Sequence, residues 1–401
     1  MPSNVTSRPW PELFASRVET RPATVEIASF IGHAGRPDLI AFSGGFPDPA
    51  TFDLPQLQEL AISVLLDPIA TQYGPTAGDA GLREWLRGWL RQHDADPLGE
   101  DELMITSGGM EGLALLNRCL LDPGEQVLVE GPTFMGVIAA IRHAEGRIAA
   151  LEMDEDGLDT DRLAALLDGG TRAKYLYVIP DFQNPTGRTL SLPRRQALVE
   201  LARRHGLLII EDVAYRELDF SGGRLPSLRS LGPDVVIQLG TFAKTFCPGL
   251  RLGWLAGPAP LVAQAVRAKQ YTDQCASPFG QRLLEAFART GGFERSLAGK
   301  RALYRGRCEI MLAALAEQLP EPVRFTRPTG GFFSWLTLPA GTDTAELLGL
   351  AGERAVAFLP GQVFYPDGRG VNELRLSFSK VPDDQIREGV RRLAEVLTGA
   401  L

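Results

Sequence analysis

Four short segments of the chain each follow an apolar run and carry polar side chains that a buried strand would not supply. The segments are residues 106–112 (TSGGMEG), 180–187 (PDFQNPTG), 211–215 (EDVAY) and 240–254 (GTFAKTFCPGLRLGW). The apolar runs before them have the composition and the Gly or Pro boundaries of buried strands. Because ligands of α/β proteins bind at the carboxyl ends of parallel strands, we expect the four segments to form one site.

The lysine of the fourth segment is the residue whose surroundings point most directly to chemistry. Lys244 lies between Phe242 and Phe246, so a purely structural lysine there would be a costly, partly buried charge. Desolvation lowers the pKa of a lysine, which is what a Schiff-base lysine requires. Thr241 and Arg251 flank it with a hydroxyl group and a fixed cation, a pair suited to a phosphate group.

The other three segments offer a helix N-terminus, an amide and a carboxylate, and each also has a plain structural explanation. Gly108 and Gly109 open a helix whose N–H groups would bind an anion, although such glycine-rich turns often bind nothing. Asn184, held extended by Pro185, would face a ligand or simply shape a loop. Asp212 would face a ligand or cap a helix. Taken together, the four segments predict a site for a phosphorylated aldehyde cofactor.

The elements that must position these segments alternate between short strands and longer helices. Strands are predicted over residues 126–130, 173–179, 207–211, 235–239 and 252–256. A helical pattern over 192–205 separates two of them, and strands separated by helices predict a parallel sheet covered on both faces. Beyond about Phe279, a long helical stretch over 281–318 and strands over 330–336 and 372–377 predict a smaller α+β domain.

Composition and charge exclude several classes of protein. Of the 401 residues, 44% are hydrophobic and 22% are charged, which is typical of a folded domain. The net charge of −8, with no long basic run, disfavours binding to nucleic acid or to an anionic membrane. No apolar run is long enough to span a membrane. The four cysteines and four histidines lack metal-ligand spacing, which predicts no metal site and reduced thiols in the cytoplasm.

The motifs, in this order, resemble the fold-type I pyridoxal-phosphate-dependent aminotransferases of class I/II, and most closely the group of 2-aminoadipate and kynurenine aminotransferases. The resemblance runs through the four segments above and through FSGGFPDP (42–49), QYGPTAG (72–78) and NELRLSF (372–378). It implies an α/β fold: a large cofactor-binding domain over 46–285, with a mostly parallel sheet between helices, and a smaller α+β domain over 286–401. An N-terminal arm over 1–45 is expected to complete the small domain and the substrate pocket.

The resemblance also implies roles for individual residues toward pyridoxal 5'-phosphate. Lys244 matches the lysine that forms the Schiff base, Asp212 the carboxylate that keeps the pyridine nitrogen protonated, and Tyr215 a donor to the phenolic oxygen. The further cofactor contacts that it implies are Gly108, Gly109, Met110, Phe134 as the stacking ring, Asn184, Thr241 and Arg251. The residues that it implies for the substrate α-carboxylate are Arg375, Gly45 and Asn184.

Three further features bear on assembly, cofactor binding and specificity, and two of them depart from the family pattern. Tyr73 matches a tyrosine that reaches the cofactor of a partner subunit, so the resemblance implies a homodimer. Gly109 and Met110 stand where relatives often carry Ser-Gln, which removes one hydroxyl group from the phosphate site. Ala28 aligns with an arginine of dicarboxylate-handling relatives, and its small apolar side chain favours an apolar or aromatic amino acid as the substrate.

The resulting hypothesis is a ping-pong transamination between an L-amino acid and a 2-oxo acid. Two alternatives stay open within the family: another bond specificity, as in a β-lyase, decarboxylase or oxidase, and a transaminase directed at 2-aminoadipate or glutamate. Fold and cofactor do not fix which bond breaks. The ligand-sensing half of a transcription regulator, which would follow a basic DNA-binding domain, is disfavoured by the acidic charge and by the roughly forty residues before Ser43.

Overall fold

The computed structural model describes residues 10–15, 17 and 36–400. The α-helices in these ranges are α1 (Leu54–Leu65), α2 (Ala80–Asp94), α3 (Gly109–Leu120), α4 (Met135–His143), α5 (Thr160–Asp168), α6 (Leu192–His205), α7 (Leu228–Leu231), α8 (Ala259–Gln270), α9 (Pro278–Arg289), α10 (Gly292–Gln318), α11 (Thr344–Glu353) and α12 (Asp383–Ala400). No helix within the described ranges has the length and apolar character needed to cross a membrane.

The strands form one large sheet and two smaller ones. They are β1 (Ile40–Ala41), β2 (Leu103–Thr106), β3 (Gln126–Gly131), β4 (Arg147–Asp154), β5 (Gly157–Leu158), β6 (Tyr175–Val178), β7 (Leu208–Asp212), β8 (Val236–Thr241), β9 (Gly253–Ala256), β10 (Arg324–Phe325), β11 (Phe333–Thr337), β12 (Val356–Ala357), β13 (Leu359–Pro360) and β14 (Glu373–Ser377). The large sheet has the order β2-β9-β8-β7-β6-β3-β4-β5. Its five central strands, from β8 to β4, pair in parallel.

The α/β fold with a mostly parallel sheet is confirmed, and two details of the sheet differ from the prediction. Strand β9 is antiparallel to both β8 and β2. Only residues 242–252 separate β8 from β9, and they form turns and one short 3-10 helix (Pro248–Leu250) rather than an α-helix, whereas a parallel return needs a longer crossover. Strand β4 was not predicted, because it is largely half-exposed and therefore lacks the continuous apolar run of a fully buried strand.

Two predicted helices also change at their ends, and both changes involve glycine. The stretch over 281–318 forms two helices instead of one. The helical conformation is interrupted at Gly291, whose φ of +71° places it in the left-handed region. Helix α3 begins at Gly109, directly after the positive-φ residue Gly108, and so reaches further into the glycine-rich segment than its apolar pattern indicates. Helix α6 has the predicted bounds.

The carboxy-terminal part of the chain forms an antiparallel sheet of order β10-β11-β14-β13, packed with α10, α11 and α12. Strand β1 pairs in parallel with β12 through Ile40 and Val356, and the N–H of Ser377 donates to the carbonyl of Phe42 at 2.8 Å. These bonds hold the segment after β1 beside β14. As a result, residues from the two ends of the sequence face the carboxyl ends of β7 and β8.

Candidate active site

A cavity of about 510 Å³ lies between the carboxyl ends of the central strands and the segment that follows β1. The predicted site residues that line it are Gly45, Gly109, Met110, Phe134, Asn184, Asp212, Tyr215, Thr241, Lys244, Arg251 and Arg375. Gly108 is buried directly behind Gly109. Tyr73 does not line the cavity, and its side chain is 76% exposed. The fold therefore brings together residues from all four segments and from both ends of the chain.

Lys244 lies in the turn that follows β8, and it points an amine into this cavity. Its Nζ donates to the carbonyl of Gly45 at 2.8 Å and lies 6.0 Å from the ring centroid of Tyr215. Burial, together with the cations Arg375 and Arg251, lowers the pKa of Lys244 to about 8, although Asp212 opposes the shift. A lowered pKa makes a neutral, nucleophilic amine available near neutral pH.

Asp212 closes strand β7, and its carboxylate faces the same cavity. It accepts hydrogen bonds from the hydroxyl of Tyr177 at 2.6 Å and from the N–H of Ala214 at 3.0 Å. Burial raises the pKa of Asp212, while these two donors and Lys244 oppose that rise. Tyr177, in the buried strand β6, was not predicted as a site residue. It could have been found from the sequence, because the hydroxyl of a buried tyrosine needs a hydrogen-bond partner.

A chain of hydrogen bonds joins three of the predicted residues across the cavity wall. The Asn184 amide donates to the Tyr215 hydroxyl at 3.3 Å, and Arg375 Nη1 donates to Asn184 Oδ1 at 2.8 Å. Arg375 Nη2 donates to the carbonyl of Ser43 at 2.7 Å. The amide of Asn184 is thereby oriented by both neighbours, and it holds the phenol and the guanidinium on one wall.

Arg375 is a buried cation that has no carboxylate partner among the described residues. Its side chain is 3% exposed, and its guanidinium carbon lies 4.2 Å from the ring centroid of Phe333 and 5.0 Å from that of Phe364. Its Nε is buried and unpaired, and no ion pair forms to it from any described residue. Burial lowers the pKa of Arg375 to about 10. Such a cation is suited to bind the carboxylate of a ligand.

At the opposite end of the cavity, five residues form what we call the anion cradle: Gly108, Gly109, Thr241, Arg251 and Gly253. Gly108 has a φ of +94°, and a Cβ there would lie 2.7 Å from Arg251 Nη2. A Cβ on Gly253 would lie 2.6 Å from the carbonyl carbon of Gly108. Only glycine fits at these two positions, so the N-terminus of α3, a hydroxyl group and a guanidinium can converge on one anion.

The walls between the cradle and Arg375 are apolar. Phe134 starts helix α4, and a Cβ on Gly136 would lie 2.5 Å from the Phe134 ring. Gly45 is close enough to Phe333 that a Cβ would lie 2.9 Å from Cζ of that ring. Other lining residues that sequence reasoning did not name are Leu39, Phe46, Met135, Leu359 and Lys380. Phe46 lies within the motif over 42–49 but carries no polar group, and the other four lie outside the glycine-rich and polar motifs, which is why they were not singled out.

The donor set matches the chemical groups of pyridoxal 5'-phosphate. An anion cradle, an amine with a lowered pKa, a carboxylate and a phenol face one cavity. These groups suit a phosphoryl group, an aldehyde, a protonated ring nitrogen and a phenolic oxygen. None of these cofactor contacts uses Arg375. Its guanidinium, with Nε unpaired among the described residues, is left to bind the carboxylate of the substrate.

Comparisons with known proteins agree with this geometry. The sequence profile described as aminotransferase class I and II matches residues 38–393. A 2-aminoadipate transaminase of Thermus thermophilus is 39% identical over 372 residues, which cover 91% of this chain and 92% of the relative. Aromatic-amino-acid aminotransferase 1 of Thermococcus litoralis is 36% identical over 367 residues, which cover 90% of this chain and 88% of the relative.

A solved structure gives the same result in three dimensions. The crystal structure of α-aminoadipate aminotransferase from Thermus thermophilus, complexed with N-(5'-phosphopyridoxyl)-L-leucine, matches with a TM-score of 0.91 and 36% identity. The match covers 98% of this chain and 99% of that one. The chain therefore belongs to the class I and II aminotransferases. It is an enzyme that uses pyridoxal 5'-phosphate and transfers amino groups between amino acids and 2-oxo acids.

Proposed function

We propose that the enzyme transaminates L-amino acids with apolar or aromatic side chains, with Lys244 as the catalytic amine and Arg375 as the carboxylate ligand. The observation that carries this proposal is that these two cations face one cavity and that neither forms an ion pair with a described residue. A substrate brings a carboxylate for one cation, and the cofactor brings an aldehyde for the other.

The residues that would hold the cofactor divide by the group that they bind. The anion cradle and Met110 would hold the phosphoryl group, Phe134 would stack on the ring, and Asp212 would pair with the ring nitrogen. Tyr215 and Asn184 would donate to the phenolic oxygen. When bound, the cofactor supplies an electron sink for the pair released at the substrate α-carbon.

The chain's own residues then bind, orient and move a proton. Arg375 fixes the substrate carboxylate, with Gly45 and Asn184 beside it, so that the α-carbon is directed toward Lys244. With a pKa of about 8, about one Lys244 amine in ten is neutral at pH 7, against fewer than one in a thousand for an ordinary lysine. The neutral amine would take the proton from the substrate α-carbon and deliver it to the carbon that the cofactor aldehyde supplies, acting as base and then as acid. Tyr177 keeps the Asp212 carboxylate oriented.

The apolar lining supports the side-chain preference. Phe46, Met110 and Leu359 line the cavity, and the relative from Thermococcus litoralis is named for aromatic amino acids. Ala28, on which the sequence argument depends, lies outside the described residues. A second candidate is a 2-aminoadipate or glutamate-directed transaminase, because the exposed Lys380 also lines the cavity and would attract a second carboxylate.

We also propose that two copies assemble, with Tyr73 reaching the partner's site. Apolar side chains are exposed along α1 and the turn after it: Leu54, Ile62, Leu65, Leu66 and Ile69 are each 54–80% exposed. Tyr73 continues this surface. A contiguous apolar surface of this kind favours burial against another protein surface. The expected domain bounds (46–285 and 286–401, with an arm over 1–45) and the cytoplasmic location stay predictions.

The test is a half-reaction with one amino acid and no 2-oxo acid. Cofactor-loaded enzyme is mixed with L-phenylalanine, L-leucine, L-glutamate or L-2-aminoadipate, and the 2-oxo acid and pyridoxamine 5'-phosphate are quantified. We expect equal amounts of both products, formed fastest with the apolar or aromatic donors. Oxo acid without the amine form would overturn the proposed reaction, and turnover of only the dicarboxylates would overturn the proposed preference. The same half-reaction with Lys244→Ala should give neither product, because the catalytic amine is missing. Lys174→Ala, which changes an exposed lysine, is the matched control.

A further inference from the structure

An ion cluster built around a buried lysine lies directly behind the anion cradle. Lys269, on helix α8, is fully buried, and its Nζ lies 2.7–2.8 Å from both carboxylate oxygens of Glu111 and both of Asp273. The hydroxyl of Ser107 is 3.3 Å from the same nitrogen. We call these four residues the Lys269 cluster.

The Lys269 cluster is bonded to the backbone that enters the cradle. The N–H of Ser107 donates to Glu111 Oε2 at 2.5 Å, and the hydroxyl of Ser107 donates to Asp273 Oδ2 at 2.5 Å. Thr106 Oγ1 donates to the carbonyl of Gly108 at 3.0 Å. Both the N–H and the side chain of Ser107 are therefore held just before Gly108: Glu111, in the first turn of α3, holds the N–H, and Asp273 holds the hydroxyl.

The cradle depends on that backbone for much of its binding capacity. Gly109 and Met110 offer no side-chain hydroxyl to an anion, so the N–H groups at the start of α3 must do more of the binding. Glycines restrict the backbone least of all residues, so a glycine pair needs outside contacts to keep its N–H groups aimed. Without the Lys269 ammonium, the carboxylates of Glu111 and Asp273 would also present two negative charges beside an anion site.

We propose that Lys269 is a positioning residue for the phosphoryl group of the cofactor. It balances one of the two negative charges of Glu111 and Asp273 and, through them, fixes Ser107, so that the backbone of Gly108 and Gly109 is held ready for an anion. This inference rests on the proposed function only in taking the anion to be the phosphoryl group of pyridoxal 5'-phosphate. Lys269 acts through the backbone and touches neither cofactor nor substrate.

The test compares two forms of the cofactor on apoenzyme. Pyridoxal 5'-phosphate and pyridoxal share the ring and the aldehyde, and only the first carries the group that the cradle would bind. We expect Lys269→Met to raise the dissociation constant of pyridoxal 5'-phosphate about tenfold, and Ser107→Ala to raise it about threefold. Binding of pyridoxal to both variants should stay within about twofold of wild type.

Lys300→Met is the matched control, because Lys300 is the same residue type, is 2% exposed and bonds to Thr51 and Ser296 away from the cradle. It should leave the affinity for both ligands unchanged. Where Lys269→Met fails to fold, because two neighbouring carboxylates lose the cation between them, Ser107→Ala decides alone.

Three outcomes would overturn the inference: unchanged affinity for pyridoxal 5'-phosphate in both variants, an equal loss for both ligands, or the same loss in Lys300→Met. If the wild-type protein itself binds no pyridoxal 5'-phosphate and gives no reducible adduct at Lys244, it is the proposed function that fails. The two failures are therefore distinguishable in one experiment.

Discussion

Two buried arginines, Arg216 and Arg375, meet opposite surroundings. Arg216 donates to Asp94 and to Asp181, the latter at 2.8 Å, and although burial opposes its ionisation, the two carboxylates raise the pKa of Arg216. Arg375 is equally buried, but it bonds only an amide and a carbonyl, and burial lowers its pKa to about 10. One arginine completes its ion pairs within the fold, and the other leaves a charge for a ligand.

The same contrast separates two lysines. The Nζ of Lys269 is surrounded by four carboxylate oxygens, whereas the Nζ of Lys244 bonds one carbonyl, that of Gly45. A charge buried without a counter-charge lowers stability, and perturbed groups of this kind concentrate at functional sites. The paired cations therefore mark the frame of this protein, and the unpaired ones mark where its chemistry occurs.

The largest effect on catalysis is expected when the charge of Arg375 is removed. We expect Arg375→Met to lower kcat/KM for amino acids about 1000-fold, equivalent to about 4 kcal/mol of lost transition-state binding. Its free energy of unfolding should stay the same or rise, because an uncompensated buried cation disappears. Steady-state kinetics and urea unfolding measure the two quantities, and a large loss of stability would contradict the distinction.

The reciprocal change is Arg216→Met, which should act on stability. It leaves Asp94 and Asp181 buried with fewer partners, so the free energy of unfolding should fall by about 3–5 kcal/mol. Arg203→Met is the control, because the Arg203–Asp234 pair is about half exposed and should contribute less than about 1 kcal/mol. Equal effects of the two substitutions in urea unfolding would show that burial of the pair does not matter.

The stability contributed by the ion pairs of Asp181 with Arg216 and Arg195 should also depend on pH. Arg216 and Arg195 overcome the effect of burial and hold the pKa of Asp181 at about 2, below its ordinary 3.8. A lowered pKa in the folded state contributes stability above the unfolded value, and this contribution is lost as the pH falls toward 2. The stability difference between wild type and Asp181→Asn should therefore shrink by about 1 kcal/mol between pH 5 and pH 3. A difference that grows in acid would contradict this assignment.

The smallest expected effect concerns Lys244. With its pKa at about 8, the rate at which apoenzyme takes up pyridoxal 5'-phosphate should rise with pH and level off above about pH 8. An ordinary lysine would give a rate that rises past pH 10. Stopped-flow absorbance over this pH range distinguishes the two, and a rise without a plateau would mean that the amine is not perturbed.

Most of the cofactor side of the site could be predicted from the sequence, and the substrate side could not. Asp212 ends strand β7, Thr241 ends strand β8 and Lys244 lies just after it, each within a short motif, so local pattern is enough to find them. The substrate wall is made by contacts across the chain, such as Arg375 with Ser43, and by apolar residues outside any motif. Only the family resemblance indicated Arg375, since nothing in its strand distinguishes it.

The fold shows the same division. The five buried strands follow from apolar runs, whereas the direction of β9 depends on the short loop over 242–252. The break at Gly291 depends on the positive φ that glycine adopts there. Both signals are in the sequence, but they are signals of chain geometry rather than of hydrophobic pattern.

The most direct test of the central claim is reductive trapping. Enzyme loaded with pyridoxal 5'-phosphate is treated with borohydride, digested and analysed by peptide mass spectrometry, beside Lys244→Ala treated in the same way. We expect one phosphopyridoxyl group on Lys244 in the wild type and none in the variant. Labelling of another lysine such as Lys380, or no labelling of a protein that binds the cofactor, would contradict it.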